Sequence, residues 1–330
     1  MAAKKKSSRG ARPSRSGSTH KSGQRIKRAK VRVSRLSTLG PEPARLLAAL
    51  RDSIKDEIST RIVAHQREVA AIRAKLRRGA QAPLMLLAHG DSWFNYPLTG
   101  NGLPLGDTDI IAHLGSMGSP PPKILNISHY GDATTDEMGL IKQQRLIEAL
   151  QNEKNWLNGK PDAILFSGGG NDIAGDQFCI YLNPKDSGLP ALDPDRFAGR
   201  LASIQASYLD LFLFRDRYAP QVPIFGHCYD YPHPMKPHPP CTGPWMSPAL
   251  TFAGWNTEEG TKILRDVLDR FKEMVTGVQA SGKYDFTVVP TQGTLEAKDW
   301  ANELHPYPPG FAKLAQVFLR ALTAHFPGRI

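Results

Sequence analysis

The chain has 330 residues, enough to bury a substantial core as one large domain or two small ones. Its formal net charge of +11 looks like a nucleic-acid signal until it is divided along the chain. Residues 1–36 hold thirteen Lys or Arg and no acid, and the remaining 29 basic residues face 31 acidic ones, so the body is close to neutral and its pI argues nothing about an active region.

The first segment, 1–38, mixes Lys, Arg, Ser and Gly with few apolar side chains. It cannot bury enough surface to offset the entropy of ordering it, and disorder is expected. No apolar run follows Lys4-Lys5-Lys6, which argues against a secretory signal, and no stretch is long enough to span a bilayer. The expected location is therefore cytoplasmic. The tail is read as solubilising, with a transit peptide, an anionic-membrane tether or a nucleic-acid arm through residues 1–36 as the alternatives. Three cysteines, Cys179, Cys228 and Cys241, leave one over in any pairing and suit reduced thiols.

Over 39–80, Leu47, Leu50, Ile54, Ile58, Ile62, Val69, Ile72 and Leu76 recur at steps of three, four or seven. That spacing predicts one long amphipathic helix from Pro41 to about Arg78, or two in line, read as packed on the domain, with coiled-coil self-association as the alternative, and carrying no chemistry. From 81 to 330 the pattern changes to short apolar runs separated by helical stretches. Strands are expected at 84–88, 123–127, 163–167, 222–226 and 286–289, and helices at 134–150, 194–215, 258–279 and 310–325. Alternation of this kind implies a three-layer α/β/α sandwich around a parallel sheet of about five strands. Two connections, 95–122 and 229–255, are too long to be simple turns, and both lie at the end of the sheet where ligands of such folds bind.

Candidate chemistry sits at the strand ends. The first expected strand runs into His89-Gly90-Asp91-Ser92-Trp93-Phe94, a glycine turn that would leave a serine hydroxyl open to an incoming carbonyl. A serine nucleophile needs a base, a group to orient the base, and donors for the oxyanion of the tetrahedral intermediate. After the second strand, Gly131 would let a backbone N–H approach the substrate oxygen. After the third, Ser167-Gly168-Gly169-Gly170-Asn171-Asp172 brings the Asn171 amide to the same point, and Asn302-Glu303-Leu304-His305-Pro306 supplies a histidine before the last helix. The Gly168–Gly170 run has no following Gly-Lys-Ser/Thr and no dinucleotide spacing, so nucleotide binding is set aside.

In this order the four blocks resemble the SGNH, or GDSL, hydrolase superfamily, whose name records its Ser, Gly, Asn and His; the match covers 83–325. The resemblance implies a flavodoxin-like sandwich with Ser92 as nucleophile and oxyanion donor. Gly131 and Asn171 would complete the oxyanion hole, His305 would be the base, and no cofactor or metal would be needed. An α/β-hydrolase would want a second glycine at position 94, where Phe94 stands.

One departure stands out: the family's usual acid three residues before the histidine is here Asn302. An amide can hold the imidazole tautomer but lends it no charge, and losing that charge can cost ~10⁴ in rate where the acid is required. Asn302 is the expected orienter, with Glu303, Asp299 or a backbone carbonyl as alternatives. The stretch from Gly226 to Cys241 gathers His and Cys, but its spacings match no common zinc site. Trp93 and Phe94 beside the nucleophile, with Tyr229, Tyr231, Trp245 and Met246, are read as pocket walls or, equally, as plain core. The whole reads as a serine esterase acting on a lipid, short-chain or acetyl ester through an acyl-enzyme. The alternatives are an acyltransferase on the same site, or a non-catalytic module docking through its basic tail.

Overall fold

The structure, a computed structural model, describes residues 41–101, 103, 105–234 and 243–330, with side chains from residue 55 onward. The expectation for 1–38 lies outside these residues. The chain divides into two compact units, 1–49 and 50–330. Of the first, only helical backbone from Pro41 is described, and everything below concerns the second.

Helix α1 (Pro41–Leu76) is continuous, as the long apolar repeat predicted. Within the second unit it buries Ile58 and Val69, and His65 Nε2 meets the carbonyl of Asn155 at 2.9 Å. Beyond it come β1 (Met85–Gly90), α2 (Ile110–Leu114), β2 (Lys123–Asn126), α3 (Thr134–Glu137), α4 (Leu140–Gln151), β3 (Ala163–Ser167) and α5 (Gly170–Ile173). The C-terminal half adds α6 (Pro194–Tyr218), β4 (Ile224–His227), α7 (Ser247–Phe252), α8 (Thr257–Ala280), β5 (Phe286–Val289) and α9 (Pro308–His325). Each strand lies within two residues of its predicted start. No helix among the described residues is long and apolar enough to cross a membrane.

The five strands form one parallel sheet in the order β2-β1-β3-β4-β5. Every residue of β1 and β3 is buried, which is why both read as unbroken apolar runs instead of alternating ones. Right-handed crossovers put α2 and α9 on one face and α4, α6 and α8 on the other. The contacts agree: α2 packs on α9, while α6 packs on α4 and α8. This is the flavodoxin-like α/β/α sandwich expected from the four sequence blocks. The chain leaves β1 in one direction and β3 in the other, so the carboxyl ends of these two central strands flank a crevice open to a ligand.

Helix starts follow local chemistry. Asp193 accepts the Arg196 N–H at 2.9 Å with Pro194 in the first turn of α6, and Asn256 with Glu259 makes a reciprocal capping box on α8. The helix predicted over 134–150 divides in two. Gly139 is extended there, and Asp172 accepts both the N–H (2.7 Å) and the hydroxyl (2.9 Å) of Thr134 at the start of α3. The two long connections contain α2 and α7, short helices that apolar periodicity alone did not separate from loop.

Candidate active site

The turn after β1 is possible only because residue 90 is glycine. Its φ is +150°, and a Cβ there would lie 2.3 Å from the carbonyl oxygen of Ser167 on β3. Backbone bonds from Asp91 N to Ser167 O (3.0 Å) and from His129 N to Gly90 O (2.9 Å) tie the turn to both neighbouring strand ends. Asp91 is buried beneath Ser92, and its carboxylate accepts from Ser167 Oγ (2.6 Å), Tyr229 Oη (2.6 Å) and Trp93 N (3.0 Å). Burial pushes its pKa up to about 6 against the pull of these donors. The chain of bonds continues to His227. Its Nδ1 accepts from Tyr229 N at 3.1 Å, so Nε2 carries the proton donated to Ser167 Oγ at 2.8 Å. Asp91, Ser167 and His227 thus brace the Ser92 turn from beneath. Sequence reading passed over this network; the available signal was three polar residues closing three neighbouring apolar strands.

Ser92 Oγ lies 2.7 Å from His305 Nε2. The proton positions on His305 follow from Asn302. Its Oδ1 accepts the backbone N–H groups of Leu304 (3.0 Å) and His305 (2.8 Å), so that atom is the oxygen, and it stands 3.2 Å from His305 Nδ1. An oxygen acceptor there requires Nδ1 to carry the proton. That leaves Nε2 with its lone pair toward the serine hydroxyl. Glu303 faces away and accepts the N–H groups of Trp245, Met246 and Ser247 at the start of α7. Asp299 accepts from Lys313 Nζ at 2.6 Å and from Glu296 N at 2.8 Å. Of the orienters weighed from sequence, Asn302 is the one in contact with the ring. Burial pushes the His305 pKa down to about 3.

The Ser92 loop holds the His305 loop in place. Trp93 Nε1 donates to Leu304 O (3.1 Å), Asn101 Nδ2 to Pro306 O (2.8 Å), and Tyr96 Oη accepts from Asn302 Nδ2 (3.1 Å). Ser92, Asn171 and His305 all line one cleft. Asn171 sits on α5 and donates its amide to Asp132 O at 2.9 Å, which straps the third block to the second. Gly131 lies in that second loop at φ +80° with open space about it, and it is not part of the cleft wall.

Of the aromatic residues proposed as walls, Trp93 and Tyr229 line the cleft, as does Met246. Phe94 does not: it is wholly buried, with its ring 5.7 Å from Phe318 and 5.8 Å from His227, because strand-end geometry turns it into the core. Tyr231 is likewise drawn off, its hydroxyl bonded to Asp269 at 2.5 Å and its ring under Arg265. Trp245 packs against the His305 ring instead of the cleft. In the His- and Cys-containing stretch, Cys228 is buried and unpaired, while His238 and Cys241 lie outside the described residues.

Behind the third block lies Glu137, wholly buried, with no hydrogen-bond partner among the described residues for either carboxyl oxygen. It presses against Gly168, where a Cβ would come within 2.5 Å of Oε2. Burial, and secondarily the charges of Asp91, Asp172 and Asp132, raise its pKa well above the carboxylate range. The folded protein therefore holds a proton that the unfolded chain releases near 4.5. The stability this contributes is present below that pH and is lost as pH rises toward the folded value. Asp91 acts in the same direction, so Glu137→Gln should lessen, without abolishing, the fall in Tm between pH 5 and pH 8. Equal slopes for the two proteins would refute this assignment.

No family model matches the chain, and no curated protein does. Solved structures do. The lipase Lip_vut3 from a goat rumen metagenome is 16% identical, with a TM-score of 0.48 over 72% of this chain and 96% of that one. An extracellular lipase from Streptomyces rimosus is 17% identical, with a TM-score of 0.45 over 73% and 100%. A carbohydrate esterase of family 3 from Talaromyces cellulolyticus is 14% identical, with a TM-score of 0.40 over 73% and 97%.

Proposed function

We propose that the chain is a serine esterase of the SGNH type, cleaving the ester of an uncharged, apolar carboxylic acid through an acyl-enzyme. The observation that carries this reading is the 2.7 Å approach of Ser92 Oγ to the unprotonated nitrogen of His305, beside Asn171 in an apolar cleft. As Ser92 Oγ attacks the carbonyl carbon, its proton passes to His305 Nε2 and the carbonyl electron pair moves onto oxygen. The N–H of Ser92 and the amide of Asn171, both on the cleft wall, receive that oxyanion. The alcohol departs with the proton from Nε2, leaving the acyl group on Oγ. Water then attacks, giving its proton to Nε2, and Ser92 recovers the proton as the acid leaves.

The cleft wall supports the acyl preference. Its charged members are Asp91, already saturated, and Asp230, whose carboxylate accepts the N–H groups of Tyr231, Gly293 and Leu295 at 2.7 Å each. An acyl chain meets Ile173, Ala174, Leu268 and Trp300 instead. Fluorophosphonate labelling with mass-spectrometric mapping tests the reading: the adduct belongs on Ser92, and a folded protein that takes none, or takes it elsewhere, is not this enzyme. On nitrophenyl esters Asn171→Ala should lower kcat by roughly 10²- to 10³-fold with KM little altered. A wild-type kcat in that variant would remove Asn171 from the oxyanion hole.

A further inference from the structure

The orienting atom on His305 Nδ1 is a neutral amide oxygen, so the imidazolium formed during turnover has no counter-charge at the position where a carboxylate is usual. The surrounding carboxylates are committed elsewhere: Asp91 to Ser167, Tyr229 and Trp93; Asp230 to backbone; Glu303 to the start of α7; Asp299 to Lys313. What does face the ring is aromatic. Tyr96 lies with its centroid 4.3 Å from the imidazole at a tilt of 36°, and Trp245 stands 5.5 Å away at 71°. Tyr96 is nearly buried, follows the nucleophile on the same loop, and does not line the cleft.

Building on the reading of His305 as base, we infer that Tyr96 is a positioning residue that supplies part of what the missing carboxylate would. Its two ends do different things. The ring face, negative through its quadrupole, attracts the cation that develops on the imidazole in a desolvated setting, where such contacts are strongest. The hydroxyl accepts from Asn302 Nδ2 at 3.1 Å and so fixes the amide. A flipped amide would set an NH₂ group against His305 Nδ1 and against two backbone N–H groups, which are all donors. With the amide held, Nδ1 keeps its proton and Nε2 remains the acceptor for the proton of Ser92.

The imidazolium exists only after Ser92 has given up its proton, so loss of the ring acts on turnover and not on substrate affinity. Tyr96→Leu should lower kcat by roughly 30-fold with KM within about twofold. Tyr96→Phe keeps the ring and loses only the amide contact, and should lose no more than about fivefold. Asn302→Asp restores a charge on Nδ1, so in that background Tyr96→Leu should lose less than about fivefold. The carboxylate also lifts the His305 pKa, moving the acid limb of kcat/KM upward from the wild-type position, and adding Tyr96→Leu should move that limb back down. An unchanged kcat in Tyr96→Leu overturns the inference. So does an equal loss in both backgrounds with an unmoved acid limb, the result expected of a merely structural residue. Fluorophosphonate labelling of the same preparations separates the two levels: if Ser92 of the wild type is not labelled, the esterase reading fails first; if it is labelled and the Tyr96 effects are missing, this inference alone fails.

Discussion

Ser92→Ala should lower ester turnover by at least ~10⁴-fold, with KM and the folded structure little changed. The reason is positional. The Ser92 turn is held by Gly90, Asp91 and their partners on β3 and just after β4, none of which uses the serine hydroxyl, so removing Oγ takes away the proposed nucleophile and one contact to His305. The Tm should therefore move by no more than about 4 °C, the scale of a single hydrogen bond in a domain of this size. His305→Ala should produce a loss of the same order, since a serine without its base is a weak nucleophile. Two groups that act as one unit are not additive: the double variant should be no slower than the worse single one. Losses that multiply, measured by steady-state kinetics on a nitrophenyl ester, would mean that serine and histidine act in separate steps.

Gly90→Ala should be the most damaging single methyl addition at the site. The new Cβ would lie 2.3 Å from Ser167 O and 2.8 Å from Ser167 N, both backbone atoms of the central strand, and neither can yield without parting β1 from β3. Overpacking together with a strained φ should cost about 3–5 kcal/mol, a large share of the stability of an ordinary domain. Gly199 is the matched control. It lies within α6 with nothing in the way of a Cβ, and alanine there should be neutral or stabilise by up to ~1 kcal/mol through helix propensity. Urea unfolding followed by circular dichroism compares the two. A Gly90→Ala protein as stable as Gly199→Ala would show that the close approach at the switch point is not what makes residue 90 a glycine.

Much of this molecule was legible beforehand because its signals are local. β1 and β3 are buried on both faces, so their apolar runs announce them, and the strong turn chemistry of Gly-Asp-Ser and Gly-Gly-Gly-Asn marks where they stop. α6 and α8 carry their own caps. Where the local signal was ambiguous the reading slipped. The start of α3 is held by Asp172, 38 residues beyond Thr134, and Phe94 looked like a pocket wall because it stands close to Ser92 along the chain. Nothing in the spacing of Tyr231 reveals that Asp269 and Arg265 hold it.

By itself, the sequence determined the strand order along the chain, the longer helices, the fold class and the four loops from which a serine, a glycine, an asparagine and a histidine would come, because periodicity and turn chemistry act within a few residues of where they are written. Only the tertiary structure decided which of several candidates touches the His305 ring, that Asp91 is a buried brace for the Ser92 turn, and that Tyr96 faces that ring. The contacts of Asp91 and Tyr96 join residues as far as 206 positions apart, selected by how the sheet and its loops pack. An ionic or hydrogen-bonding partner is chosen by distance and desolvation in three dimensions, and neither is visible along the chain. For Ser92 the order of the blocks named the candidate, and packing set the 2.7 Å approach.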